Sequence, residues 1–375
     1  MHQSTENYIL YKRNDAKTKK RLHEIRREGR KSFLNKFDVH NMNKNWAILK
    51  QYKKACNPIY RDNNSTSLEW LKEFLCLWTP DSVNEEEDVF KDSINIQTFT
   101  LKELKGVIEK LPDTSPGMDG ISYKMIKYFP DNVLEILLNF YNKFLLFNLI
   151  PAEWKNYDII PILKPGKSNL KAESYRPIGK SSCLAKVFEH LLKIRLEMFT
   201  KKSIPYYSMG FRKGYSTCDC LNTFVSDIYK NLCNKYHTLA LFLDISRAYD
   251  SVNLKLLWRK MFKLKIPAIF IQFLNSYYTE RCYYTTYKGV REGPRTTSTG
   301  LPQGAVLSPI LFLIYTTDLQ QHIDTDIGIL QYADDFLIYV KDKNITILTK
   351  KMNDLIKKIS FWLKENSFVA SEEKS

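Results

Sequence analysis

Apolar and polar positions along the chain fall into two kinds of pattern, helical faces in its first half and short apolar strands in its second. Thr100-Leu101-Lys102-Glu103 has the form of a capping box, and Leu104, Val107, Ile108 and Leu111 follow it at helical spacing. This predicts a helix running to Pro112, a tight loop through SPGMDG (115–120), a second helix from about Ser122 to near Pro130, and a long amphipathic helix from Asp131 to about Phe147. NYDIIPILKPGK (156–167) clusters β-branched residues before Pro165-Gly166, the pattern of a strand and a basic turn. SSCLAKVFEHLLKIRLEMF (181–199) reads as a helix with an apolar face, and His190 within it reads as a packed or surface residue rather than a ligand.

Two apolar runs end in carboxylates. Thr238 to Ile245 is almost wholly apolar and carries Asp244 at its end, after which SRAYDSVN leads into a helix, LKLLWRKMF. A lone carboxylate there either caps the next turn or binds something, because burying it without compensation is costly. Gly328 to Val340 predicts two strands around Asp334-Asp335. Asp-Asp is poor chemistry for a two-residue hairpin turn, which favours Asn-Gly or Asp-Gly. Adjacent like charges also repel, by an amount that a divalent cation reverses. Three carboxylates on strand ends form the oxygen-rich set that Mg²⁺ prefers while it retains water and phosphate ligands. Two such ions about 4 Å apart activate an attacking hydroxyl and stabilise a leaving pyrophosphate.

Between these runs, Gly300 and Gly304 bracket Gln303 in GLPQGAVLSPILFLIYTTDL, with Ser308 expected as helix cap and Pro309 at the first helical position. Glycine allows close backbone approach, so Gln303 could touch a base or sugar; an ordinary Gly-rich loop before a buried helix fits the same residues.

Composition narrows the partners. With 375 residues and 44% hydrophobic content the chain is expected to hold two or three packed units of roughly 150 residues each. The most apolar stretch, 134–149, is broken by Asn139, Asn142, Lys143 and Asn148, so no membrane span is expected. The N-terminus lacks the apolar core of a secretory signal, and seven cysteines without CxxC spacing suggest reduced thiols in the nucleus or cytoplasm. The net charge is +16, of which an excess of 11 lies between Tyr11 and Lys54, with 15 Lys or Arg against four acids. Nucleic acid is the leading partner for such a helical basic run. The turn-rich NPIYRDNNSTS (57–67) after it marks a boundary.

SPGMDG at 115, PILKPGK at 161, YRPIG at 175, GFRKGYST at 210, FLDISRAYD at 242, GLPQGAVLSP at 300 and YADD at 332 occur in an order that resembles the reverse transcriptases of non-LTR (LINE-type, jockey-like) retrotransposons. WLKENSFVASEEKS at 362 resembles the motif that follows. The resemblance implies an α+β fold, the fingers and palm of a right-hand polymerase with an antiparallel palm sheet flanked by helices, preceded by a basic helical extension. It implies an extension and linker over 1–66, an N-terminal extension and fingers over 67–215, with the fingers from about Thr100, and a palm over 216–375 that stops before the thumb. A fragment lacking endonuclease and thumb is expected.

By the same resemblance Asp244, Asp334 and Asp335 are the catalytic metal-binding carboxylates, with the carbonyl of Ile245 a further ligand of two Mg²⁺ ions, for which Mn²⁺ can substitute. Lys164 and Arg176 match the residues that hold the incoming triphosphate, and Tyr249 matches the aromatic gate against a ribose 2′-hydroxyl. Gln303 and Gly304 match the loop lining the nascent base pair, and Lys374 matches a lysine that protonates pyrophosphate. The implied activity is RNA-directed DNA synthesis, with an RNA template, a DNA primer and dNTPs as partners. A catalytically inactive, RNA-binding remnant is the alternative, and an organellar intron type is disfavoured by SPGMDG and GFRKGYST. Tyr249 stands where Phe is more usual, YRPIGKSS replaces YRPISLLS, and YSMGFR lacks the Gln usual before GFR.

Overall fold

The computed structural model describes residues 68–79, 90–91, 97–112, 114–168, 171–287, 290–371 and 375, together with Glu24. The chain divides into two compact units, Met1–Asn64 and Ser65–Ser375. Apart from Glu24, the basic run 11–54 and the boundary segment 57–67 lie outside the described residues, as does Lys374.

Helix α1 spans Leu68–Trp78 and α2 spans Leu101–Lys110. The α2 capping box is formed: the Glu103 amide donates to the Thr100 hydroxyl (3.3 Å) and the Thr100 amide donates to Glu103 Oε2 (2.8 Å). A short α3 (Tyr123–Lys127) opens on Ser122, whose hydroxyl accepts from the Met125 amide, and α4 covers Asp131–Leu146. Helix α5 (Cys183–Thr200) packs on α2. Phe188 of α5 sits among Phe99, Tyr141, Phe144, Trp154 and Phe273, all with ring centroids within 6.5 Å. Such rings bury large apolar areas and prefer these edge and offset contacts. His190, on the same helix, is half-buried, and burial lowers its imidazole to about 4.

One sheet holds β1 (Asn156–Leu163), β2 (Tyr175–Lys180), β4 (Arg281–Tyr287) and β5 (Val290–Thr297) in the order β2-β1-β4-β5. β1 is antiparallel to β2 and parallel to β4. Strand β2 and the β4–β5 hairpin go beyond the elements that the sequence pattern predicts. Pro177 makes YRPIGK look like a broken strand, yet it lies on an edge strand directly opposite Pro161. Two prolines can face each other where the antiparallel ladder has a non-hydrogen-bonded pair, since neither N–H is then needed.

The other sheet is wholly antiparallel: β3 (His237–Asp244), β7 (Asp335–Asp342) and β6 (Gly328–Tyr332), with β7 in the middle. Strand side chains alternate faces. Phe336 of β7 meets Trp362 of α10 (Ile345–Glu365), whereas Tyr339 meets Phe224 of α6 (Thr217–Cys233), so α10 and α6 cover opposite faces. Helices α7 (Leu254–Lys263), α8 (Ala268–Tyr278) and α9 (Ser308–Tyr315) complete the core, with α9 almost entirely buried. The mixed α+β class with an antiparallel sheet flanked by helices agrees with the sequence reading. Among the described residues no helix is long and apolar enough to cross a membrane, and the six described cysteines are all free.

Candidate active site

Strand register decides where the acids meet. In the β3–β7 ladder Asp244 stands directly opposite Asp335. Directly opposed residues of an antiparallel pair share a face, with Cβ atoms about 4.5–5.5 Å apart, and like charges there are destabilising. Two carboxylates 91 positions apart in the chain are thus brought face to face by strand register, against their mutual repulsion. Oxygen donors in this arrangement suit a hard divalent cation.

Asp334 occupies the turn between β6 and β7. The sequence reading put Asp334 and Asp335 together at the hairpin tip; the structure shifts this by one residue. Tyr332 pairs with Asp335, so the two turn residues are Ala333 and Asp334, and Ala333 takes the positive φ of +60°. Asp335 is the first residue of a strand and inherits its register. Among the described residues no three His, Cys, Asp or Glu side chains close into one ligand cluster. The register unites Asp244 with Asp335, and the turn holds Asp334 one residue away.

The end of β3 is fixed from its other side. Ile245 bridges to Ala370, through Ser371 N–H to Asp244 O (2.8 Å) and Ser246 N–H to Val369 O (2.9 Å). Neither bond uses the Ile245 carbonyl. The turn is backed by Gly210, where an added Cβ would come within 2.1 Å of the Ala333 nitrogen. The GFR glycine is therefore needed for backbone against backbone, a role sequence reasoning missed. Next to it Met209 donates to Gln331 O (2.8 Å), so residues 207–209 run parallel to β6 as an added bridge.

Tyr249 lies beside this turn. Its ring stacks on Phe312 (5.2 Å, 19°) and meets Phe211 edge-on (6.3 Å), and burial, with the Asp334 charge adding to it, raises its phenol. Leu301 N–H bonds the Tyr249 carbonyl (2.8 Å), which docks the GLPQG loop on the segment after β3. Gly179 of β2 donates to Gln303 O (2.7 Å), docking the same loop on the four-stranded sheet. Gly304 has φ +107°, and a Cβ there would meet the Gly179 carbonyl at 2.7 Å.

Gln303 is half-buried, and its side-chain amide donates to Asp250 Oδ2 (3.0 Å). Burial pushes the Asp250 carboxyl up to about 7, against the pull of the Gln303 bond and of Arg247 and Arg281. Asp250 was within reach of sequence reasoning, as the second acid of FLDISRAYD. Ser308 is not the cap expected of it: Leu307 occupies the cap position, and the Ser308 hydroxyl donates to Pro302 O (2.7 Å), closing the loop on itself.

The basic pair sits elsewhere. Lys164 follows β1, with its ammonium donating to the Glu173 carbonyl (2.8 Å), and Arg176 is an exposed residue of β2 opposite Ile162. Both belong to the β1–β2 hairpin, the strand pair that also carries Gly179 against the Gln303 backbone.

A jockey mobile-element RNA-directed DNA polymerase from Drosophila melanogaster is 29% identical over 344 residues, covering 89% of this chain and 37% of that protein. A probable RNA-directed DNA polymerase from transposon BS of the same species is 32% identical over 242 residues, 64% of this chain and 27% of that one. The chain thus spans about a third of the length of the curated relatives it matches. Among solved structures, apo telomerase from Candida tropicalis aligns at 15% identity with a TM-score of 0.42, covering 65% of this chain and 56% of that one. Residues 162–375, more than half of the chain, match the family described as reverse transcriptase (RNA-dependent DNA polymerase), and the chain belongs to that family.

Proposed function

We propose that this chain carries the fingers and palm of a non-LTR retrotransposon reverse transcriptase, which adds dNTPs to a primer 3′-hydroxyl on an RNA template and releases pyrophosphate. The observation that carries the reading is the in-register pairing of Asp244 with Asp335, with Asp334 on the adjoining turn, in a chain of this family. Reverse transcriptases use divalent metal. Here Asp244, Asp334, Asp335 and the Ile245 carbonyl would hold two Mg²⁺ ions, or Mn²⁺ in their place, which supply activation of the primer hydroxyl and charge stabilisation on the phosphates.

The chain's own residues do the positioning. Lys164 and Arg176 grip the triphosphate as cations on the hairpin nearest the loop, and Gln303 and Gly304 form the surface under the nascent pair. Tyr249, wedged between Phe312 and Phe211, is a ring with little freedom to yield to a ribose 2′-hydroxyl. Residues 67–215 then serve as extension and fingers and 216–375 as palm, with 1–66 a basic extension for RNA, and Lys374 an acid for pyrophosphate. An intracellular setting, in nucleus or cytoplasm, goes with this reading.

The test is primer extension on an RNA template. Extension should require Mg²⁺ or Mn²⁺ and fall by about 1000-fold or more in Asp244→Ala, as expected when several kcal/mol of charge stabilisation are lost. Equal activity of that variant, or extension insensitive to metal removal, overturns the reading.

A further inference from the structure

Helix α9 begins without a cap of its own. The hydroxyl that would serve, Ser308, is spent on Pro302 O, and the residue at the cap position is Leu307. The first amides of a helix have no partner inside it and must be met from elsewhere. At the entry to α9 the amides of Val306 and Leu307, just before the helix, are met by Glu189, a residue of α5 with 0% of its surface exposed. Its Oε2 accepts from the Val306 amide (2.6 Å) and the Leu307 amide (3.2 Å), and its Oε1 accepts from the Tyr277 hydroxyl of α8 (2.8 Å). Both oxygens are thereby held, one by the loop and one by a neighbouring helix.

A buried carboxylate is costly unless its hydrogen bonds are complete. Burial raises the Glu189 carboxyl, and the Tyr277, Val306 and Leu307 donors oppose that rise. Apolar surroundings make the choice of residue odd for packing alone: Glu189 lies on the same stripe of α5 as Ala185, Phe188, Leu192 and Leu196, all buried. A leucine would continue that stripe, and it would leave two loop amides without an acceptor.

Where the loop sits matters at the scale of tenths of an ångström. Gly304 already faces the Gly179 carbonyl at a separation that leaves no room for a methyl group, and the Gln303 carbonyl accepts from Gly179 at 2.7 Å. The other end of the loop is tied by Leu301 to Tyr249. Residues 301–304 therefore hang between these bonds and the Glu189 anchor at 306–307.

We propose that Glu189 is a positioning residue for nucleotide binding, the anchor that sets Gln303 and Gly304 against β2 from the far side of the loop. The proposal rests on the polymerase reading above for its kinetic consequence, and on the hydrogen bonds alone for its structural one. Glu189 acts through the loop, by the Val306 and Leu307 amides, rather than by touching nucleotide or template.

The experiment compares Glu189→Gln and Glu189→Leu in the full chain, with a primer annealed to an RNA template. Gln keeps an oxygen for the two amides and offers its NH2 to a Tyr277 hydroxyl that can turn to accept, so it should stay within about 3-fold of wild type in every constant. Leu should raise the KM for dNTP by about 10-fold or more, the loss expected for hydrogen bonds to a charged acceptor, while the KM for primer–template stays within about 2-fold. Hydrogen exchange supplies the second arm: amides of 300–307 should exchange faster in Leu than in Gln or wild type, with the β3–β7–β6 ladder unchanged.

Unchanged dNTP KM and unchanged loop exchange in a folded Leu variant overturn the proposal. So does a Gln variant as impaired as Leu, or a Leu variant in which both KM values and the ladder exchange shift together, the signature of general loosening. Absence of any extension by the wild-type chain strikes the polymerase reading instead, and the exchange arm then still decides whether Glu189 holds the loop.

Discussion

Two hairpins present charge at one end, and they are built to different standards. The acidic one, β6–β7, is fixed at every level: Asp335 by strand register against Asp244, the turn by Gly210 behind Ala333, and the strand before it by the fully buried Gln331. Gln331 donates through its side chain to Ala333 O (3.0 Å) and accepts from the Ser208 hydroxyl (2.7 Å). The basic one, β1–β2, ends in exposed Pro165, Gly166 and Lys167, and the Lys164 ammonium donates to the Glu173 carbonyl of the same hairpin. The difference follows from what each end is proposed to hold. Carboxylates sharing a small hard cation need oxygen positions good to a few tenths of an ångström. Lysine and arginine gripping a polyphosphate act over longer reach, with flexible stems.

The sharpest way to break this contrast is to change charge without changing shape at the acidic end. Asp335→Asn should lower primer extension by about 1000-fold or more, while stability moves by no more than about 1 kcal/mol, because the site is exposed and cross-strand charge pairs are worth no more than that. Urea unfolding beside extension rates reads both. Retained activity would mean that the register is fortuitous. Gly210→Ala tests the same end through its backing. Its Cβ must displace the Ala333 nitrogen, at a cost of about 1–3 kcal/mol typical of overpacking. The shift of the turn that carries Asp334 should lower extension by about 100-fold, the penalty of a misplacement near 1 Å. Wild-type stability in that variant would show that the turn is free to yield.

Much of the acidic end was legible in the chain, because its signals are local. An apolar run ending in Asp244 and two strands around Asp334-Asp335 can be read from residue types alone. What could not be read is register. A slip of one residue decides whether Asp334 or Asp335 faces Asp244, and only the choice of Ala333-Asp334 as turn settles it. Ser308 is not the cap of α9 for a related reason: Ser before Pro is the local signature, whereas the amides that lead into the helix are met by Glu189, 117 positions from Val306. Its signal was a charged residue on an apolar helical stripe. Strand β2 was hidden by Pro177, whose tolerance depends on the opposing Pro161 and on an edge position that the sequence does not show.

At the basic end the expected effects are smaller. Arg176→Ala should raise the KM for dNTP by about 10-fold, the loss of one charge-assisted contact, with kcat within about 3-fold and stability within about 0.5 kcal/mol for an exposed residue. Steady-state kinetics with varied dNTP checks it. A fall in kcat equal to that of Asp335→Asn would erase the distinction between the two hairpins, since it would make a peripheral cation as indispensable as the paired acids.

The smallest effect concerns the loop that ties the two sheets together, through Gly179 on one side and Tyr249 and Asp250 on the other. Asp250 has an ordinary carboxylate value of 3.8 and is pushed up to about 7 in the fold, chiefly by burial. The folded state therefore binds its proton more tightly than the unfolded chain does. The stabilisation from that proton is complete below the ordinary value and is lost as pH rises through about 7. Asp250→Asn keeps an oxygen for the Gln303 amide and has no proton to lose. Its stability relative to wild type should climb between about pH 4 and pH 7 and level off above, as read from urea midpoints at a series of pH values. Because both proteins share every other titrating group, those contributions cancel in the difference. Parallel curves would mean that Asp250 stays ionised in the fold, so that the loop is joined to the segment after β3 by a charged acceptor; a rising difference means that the joint itself loosens with pH.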